Sequence, residues 1–360
     1  MRTVIIHLTP VSAVSALRPA LAAGLAPPLL GLALGLSACG PSPREPTGGS
    51  TAPLVVAADG VLCDLTTRLA GPDLRVRCLL APGDDPHQFR LTPAQKRDLA
   101  GAALVLINGY GLTPSVAGLP GAVPVAELAV PESPRLTGPA EPVPPPAGGH
   151  DHHDDGHHDH GDQDPHVWHD PRQASAMVRL VSERLARLAP TAAAAIQRRA
   201  SSMTTLLAAV DQWNSRQLAT IPRDANGQAP PLASGHRAFT SLARRYGLRE
   251  LAVVDGSSSS NSLRPQAFEA VVRQLKQERV PILFAEQQPA PRNLERISSL
   301  SGVPLAAQPL LADGLAACSD GDGNLLLTLT GNTCAIAEGL GGQCDRKGQR
   351  QLIRQWEAIR

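Results

Sequence analysis

Three histidines stand in short polar turns at comparable places in the 360-residue chain: Asp85-Pro86-His87, Asp164-Pro165-His166 and Ser234-Gly235-His236. Neutral imidazole binds Zn²⁺ at about 2.0 to 2.1 Å, and three histidines with one open or oxygen position form a known zinc arrangement. Taken singly, each is a surface or capping residue. Their joint placement points to a metal: His87 follows a predicted strand and His236 follows Leu232-Ala233, and open α/β sheets bind ligands at the carboxyl ends of their strands. Six of the 11 histidines are crowded elsewhere, at His150, His152, His153, His157, His158 and His160. The tract from residue 150 to 164 interleaves them with Asp151, Asp154, Asp155, Asp159, Asp162 and Asp164. It is too hydrophilic to pack. It reads as a solvated linker or as a low-affinity zinc collector that raises the local metal concentration.

The elements that must position the three histidines alternate between strand and helix. Leu54 to Ala58, a helical segment ending at Ala70 and the run Leu74 to Leu80 give β, α, β. Thr92-Pro93-Ala94-Gln95 has the capping Thr, the Pro at the first helical position and the Gln three residues on that mark a helix start, and Ala103 to Asn108 is a third buried strand. From Gly118 to Gly149 the chain is rich in Pro, Gly and Ala, so with the tract it reads as a long exposed insertion. Asp170-Pro171-Arg172-Gln173 repeats the capping-box pattern and opens a helix that stops before Pro190. A second helix from Thr191 to about Thr220 spans some thirty residues, roughly 45 Å, enough to bridge two domains. The alternation then returns, with strands at 232–234, 251–254 and 282–285, helices through Tyr246, at 265–278 and near 293–300, and a last helix at 349–359. The expected fold is α/β, with two lobes of mostly parallel sheet joined by one long helix.

With 33 Lys plus Arg against 32 Asp plus Glu, the chain has no basic footprint for nucleic acid, and 2% aromatic residues leave few platforms for stacking bases. Residues 1–38 carry Arg2 and Arg18 ahead of an Ala- and Leu-rich run ending in Leu36-Ser37-Ala38-Cys39, which reads as an export signal. Residues 39–51 are a tether of Pro, Gly and Ser. Export makes Cys63, Cys78, Cys318, Cys334 and Cys344 disulfide candidates. A β, α, β unit brings Cys63 and Cys78 together, and one pair among the other three would tie the C-terminal part; at least one cysteine is left over.

Asp85-Pro86-His87-Gln88-Phe89, Asp164-Pro165-His166-Val167-Trp168-His169-Asp170-Pro171, His236-Arg237-Ala238-Phe239 with Ala243-Arg244-Arg245-Tyr246-Gly247-Leu248, and Phe284-Ala285-Glu286-Gln287 together resemble the motif set of the ZnuA-like, metal-specific solute-binding proteins of bacterial ABC importers. The resemblance runs from about residue 52 to about 315. Leu36-Ser37-Ala38-Cys39-Gly40 resembles the lipobox, which implies diacylglycerol on Cys39. The family resemblance implies a metal between two Rossmann-like lobes joined by a rigid linker helix: residues 52–190, the helix 191–220, and residues 221–360. His87 and His166 would come from the first lobe and His236 from the second. Family members that carry manganese usually have a carboxylate at the third position, so His236 favours zinc. Asp313, in Leu310-Leu311-Ala312-Asp313-Gly314-Leu315, is the candidate fourth ligand although the segment departs from the family's Asp-Pro-Leu form; water or a loop group is the alternative. Glu286 either hydrogen-bonds a ligand imidazole and fixes its tautomer or makes a polar contact that closes the lobes. His169 is either an outer partner of a ligand or, the favoured reading, a surface histidine. The family's zinc members carry a His-rich loop just before the second ligand motif.

The resulting expectation is a lipid-anchored, monomeric protein on the periplasmic side of the cytoplasmic membrane. It binds Zn²⁺ as cargo and delivers it to an ABC permease with its ATPase, without enzymatic activity. Manganese or another divalent metal is the nearest alternative. A zinc hydrolase would need a placed general base, and only Glu286 offers one; a surface lipoprotein with a purely structural metal is a third reading. Because imidazole must be neutral to coordinate, zinc affinity should fall as pH drops through about 6 to 7, which zinc titrations at pH 5.5 and 7.5 would measure.

Overall fold

Residues 52–136, 163–254, 265–317 and 323–359 are described by a computed structural model. The export signal, Cys39, the tether, the six clustered histidines and Cys318 lie outside the described residues.

The first lobe begins with β1 (Leu54–Ala57), α1 (Gly60–Ala70), β2 (Arg75–Cys78), α2 (Pro93–Ala100), β3 (Leu104–Ile107), β4 (Val123–Pro124) and α3 (Val125–Ala129). Its four strands are all parallel in the order β2-β1-β3-β4. The Thr92 capping box forms as its sequence dictates. Residues 118–136 depart from the expected exposed insertion: Val125 and Ala126 are fully buried and β4 completes the sheet edge. Apolar residues between the prolines find a surface to cover, which composition alone hides. Gln163 bridges back to Arg135 in antiparallel fashion, and the Asp164 amide donates to the Pro134 carbonyl at 2.7 Å, so the two ends of the segment between them meet.

The helices α4 (Pro171–Leu188) and α5 (Ala193–Leu218) follow. Asp170 caps α4 through the Arg172 amide; Gln173 does not complete a box, and its Oε1 has no partner. Along the 26 residues of α5, Ile196, Ala200, Met203, Leu207 and Val210 join the core of the first lobe, whereas Leu218 joins that of the second. The second lobe is built on β5 (Leu232–His236), α6 (Thr240–Tyr246), β6 (Glu250–Val254), α7 (Pro265–Gln277), β7 (Leu283–Phe284) and α8 (Arg292–Ser301), with a parallel sheet of order β6-β5-β7.

The chain then crosses back. A small antiparallel pair, β8 (Ala316–Ala317) and β9 (Gly323–Asn324), leads into α9 (Leu325–Gly339) and α10 (Arg346–Glu357). Leu325, Leu326 and Leu329 at the start of α9 pack in the first core and Ile336 and Leu340 at its end in the second, so α9 spans the lobe boundary alongside α5. Trp356 of α10 also lies in the first core. A buried carboxylate fixes this return: Asp64 accepts from the Leu325 amide at 2.9 Å, the Trp356 indole at 2.8 Å and Arg68 Nε at 2.6 Å. Disulfides join Cys63 to Cys78 and Cys334 to Cys344, with Cα atoms 5.4 and 5.2 Å apart. Among the described residues no helix is long and apolar enough to cross a membrane.

Asp59, the buried N-cap of α1, accepts the Leu62 amide on its Oδ1 at 2.9 Å, while its Oδ2 has no partner. Burial pushes its carboxyl up to about 6. The folded state therefore holds this proton more tightly than the unfolded chain, and the associated stability, complete below pH 4, is lost as pH rises through about 6. An Asp59→Asn variant keeps a good N-cap without the charge. It should match the parent near pH 4 and exceed it at pH 7.5 by about 2 to 3 kcal/mol, measured by urea denaturation of the metal-free proteins.

Candidate metal centre

Each predicted ligand enters from a different connection. His87 lies in the loop beyond the carboxyl end of β2, where Asp85 Oδ1 accepts its amide at 2.9 Å and shapes the turn. His166 precedes a single 3-10 turn over Val167–His169, and the carbonyl of Pro165 before it is held by Asn108 Nδ2 at 2.9 Å, from the end of β3. His236 is the last residue of β5. Asp313 sits in the loop after α8, where the chain passes from the second core (Ala312) to the first (Leu315). That loop needs glycine: a Cβ on Gly314 would lie 3.0 Å from Gly83 Cα, in the loop that carries His87.

The four side chains meet at one point. Asp313 Oδ1 is 3.1 Å from His87 Nε2, 2.9 Å from His166 Nε2 and 3.5 Å from His236 Nε2. All four donor atoms lie within 4.8 Å of one another. Bonds of 2.0 to 2.1 Å in a tetrahedral site would separate the donors by roughly 3.4 Å, so only small movements would admit an ion. His236 is fully buried and neither ring nitrogen has a hydrogen-bond partner. A buried, unpartnered imidazole is costly unless something binds it. Among the described residues this is the group of His, Cys, Asp and Glu side chains placed to hold a metal ion.

The electrostatics follow from burial. Desolvation pushes the Asp313 carboxyl up, but the three imidazoles outweigh it and hold it well below the usual carboxylate range. Desolvation likewise pushes His166 down, while hydrogen bonds and charge from Asp164 and Asp313 lift it to about 10. A metal ion bound here would take the place of the proton that Asp164 and Asp313 favour on His166.

Several supporting residues differ from the sequence reading. His169 is fully buried, not at the surface; its Nε2–H donates to the Ala312 carbonyl at 3.0 Å, fixing the residue before Asp313. Burial pushes it down to about 4, so the ring is neutral. Its side of the turn packs on Trp168 and Phe239, with ring centroids 5.4 and 4.9 Å away, and these apolar neighbours are why it cannot be exposed. Glu286 Oε1 accepts the Gly235 and His236 amides at 2.6 and 3.2 Å but lies 3.8 Å from His236 Nδ1. It secures the backbone of the ligand strand without hydrogen-bonding the ring, and burial raises it to about 7. Asp164, grouped by composition with the hydrophilic tract, is fully buried, 3.0 Å from His166 Nδ1. The repeated Asp-Pro-His spelling at 85–87 and 164–166 was the available signal. Asn332 of α9, absent from the sequence reading, clamps Leu311 by both its amide and its carbonyl at 2.8 Å; an Asn-capped apolar run from Asn324 onward marked that helix.

Comparison with known proteins follows the same lines. The model of the family described as "Zinc-uptake complex component A periplasmic" matches residues 55–339. The metal-binding protein YtgA of Chlamydia pneumoniae is 26% identical over 318 residues, covering 82% of this chain and 88% of that protein. The manganese ABC transporter substrate-binding lipoprotein PsaA of Streptococcus pneumoniae is 22% identical, covering 85% and 94%. The solved structure of the periplasmic zinc-binding protein TroA from Treponema pallidum shares the fold with a TM-score of 0.67 at 24% identity, over 80% of this chain and 99% of that one. The chain belongs to the family of periplasmic zinc-uptake component A proteins and is a divalent-metal-binding solute-binding protein of an ABC importer, not an enzyme.

Proposed function

We propose that the transported ion is Zn²⁺ and that His87, His166, His236 and Asp313 hold it. The observation that carries this reading is the donor set: three imidazole nitrogens and one carboxylate oxygen within 4.8 Å of one another. Nitrogen-rich sites disfavour Mg²⁺ and Ca²⁺, and less strongly Mn²⁺. The relatives are named for zinc, manganese or metal in general, so the choice among ions falls to the donors rather than to the fold. The carboxylate leaves the centre with one negative charge against a divalent cation once the imidazoles are neutral.

In this reading Cys39 anchors the protein by lipid to the periplasmic side of the cytoplasmic membrane, and a monomer delivers zinc to the permease and its ATPase. The clustered histidines collect zinc weakly beside the tight site. Two helices, α5 and α9, cross between the lobes. Release therefore proceeds through small lobe motions on docking rather than a wide hinge opening.

The decisive experiment is calorimetry of the mature protein with Zn²⁺, Mn²⁺, Co²⁺ and Cu²⁺ in competition, copper being included because it outranks zinc at most nitrogen sites. One tight zinc site with manganese far weaker is expected; preference for manganese would sink the assignment. His87→Ala or His236→Ala should weaken that site at least 100-fold, whereas deleting residues 150–162 should spare it and reduce only the number of weak sites. Loss of the tight site on that deletion would reverse the division of labour.

A further inference from the structure

His166 and His236 come from opposite lobes, yet a single buried carboxylate connects them. Asp164 Oδ1 accepts the His166 amide at 2.9 Å and lies 3.0 Å from the same residue's Nδ1, which leaves Nε2 facing Asp313. Asp164 Oδ2 accepts from the Ser241 hydroxyl at 2.8 Å and the Ser241 amide at 3.2 Å. Ser241 is in the first turn of α6, five residues beyond His236, and is 2% exposed. The opposite end of α6 is held independently: Arg245 donates to Asp211 of α5 at 2.9 and 2.6 Å, and the Tyr246 hydroxyl to the same carboxylate at 3.2 Å. Glu250 holds the start of α6 within its own lobe, through the Phe239 amide and the Thr240 hydroxyl. Removing the Ser241 hydroxyl therefore leaves α6 attached while leaving Asp164 Oδ2 only the longer bond from the Ser241 amide.

This placement has a consequence for the ligand shell. An imidazole whose second nitrogen is hydrogen-bonded to a carboxylate is fixed in tautomer and orientation, and losing such a partner costs about 10- to 100-fold in metal affinity. Here the carboxylate is itself oriented from the other lobe. We propose that Ser241 is a positioning residue that sets the residence time of the bound metal by holding Asp164, and through it His166, only while the lobes are closed. When α6 draws back with His236, Asp164 loses two donors and His166 loses its fixed orientation in the same movement. Two ligands then loosen together. The inference rests on the four-ligand reading above.

The test is stopped-flow zinc release to a chelator from the full chain, with the association rate and the thermal midpoint of the metal-free protein measured alongside. Ser241→Ala should release zinc about tenfold faster, with association unchanged and the metal-free midpoint lowered by no more than the loss of one buried hydrogen bond costs; Ser241→Thr, which keeps a hydroxyl, should restore both slow release and the midpoint. Parental release from Ser241→Ala would overturn the proposal. So would faster release accompanied by a lowered metal-free midpoint that Ser241→Thr does not correct, since that is the signature of packing damage. If the parent protein itself bound no zinc at the four residues, the functional reading would fail instead, and the two failures are separable.

Discussion

Three imidazoles and one carboxylate are held together at the boundary of two apolar cores, nearly out of reach of water, and the surrounding architecture exists to keep them there. Such a group is unstable by itself. Desolvation opposes charge on Asp313, His166 and His236, and their contacts with one another and with Asp164 and Glu286 offset it. His236 does not share in a full hydrogen bond. The geometry is therefore prepared for an ion before the ion arrives, and the rigidity that keeps the donors apart must come from outside the cluster.

That rigidity is supplied by backbone anchors. Glu286 grips the amides of the His236 strand end. His169 and Asn332 grip the residues on the amino side of Asp313. Asn108 grips the carbonyl before His166. None of these is a ligand, yet each holds the backbone of a ligand or of a residue one or two places before it with a polar side chain. The same logic extends to the whole chain, since α9, pinned by Asp64 at its start, carries Asn332 to the Asp313 loop. A metal site at the junction of two lobes is thus held by groups from both, and by the two helices that belong to neither alone.

Much of this was legible in the sequence for physical reasons. Parallel strands buried on both faces read as apolar runs, and the Thr92 and Asp170 caps punctuate helices with local chemistry. His87 and His236 stood out because polar turns after strands are where such folds bind, and His166 because it repeats the Asp-Pro-His spelling of His87. Other parts were hidden by the same rules. Residues 118–136 have the composition of a loop, but Val125 and Ala126 find a core that only the tertiary fold provides. Asp164 adjoins a tract of aspartates and looks like one of them; nothing local distinguishes a buried acceptor from a solvated one. His169 is similar, because its burial depends on Phe239 and Ala312, which are distant in sequence.

The contrast between Asp85 and Asp164 carries this a step further. Both precede a ligand by two residues, separated from it by proline, and both accept the ligand's own amide at 2.9 Å. The local motif therefore does one thing in both places: it sets the turn. What differs is the second oxygen. Asp85 Oδ2 accepts from Gln88 on an exposed part of its own loop, whereas Asp164 is buried and its Oδ2 accepts from a helix of the other lobe. One spelling thus yields a local turn at His87 and a connection between lobes at His166. The difference lies in what the fold brings opposite the second oxygen: the Asp164 turn is tied to a helix of the other lobe, whereas the Asp85 turn closes its hydrogen bonds within its own loop.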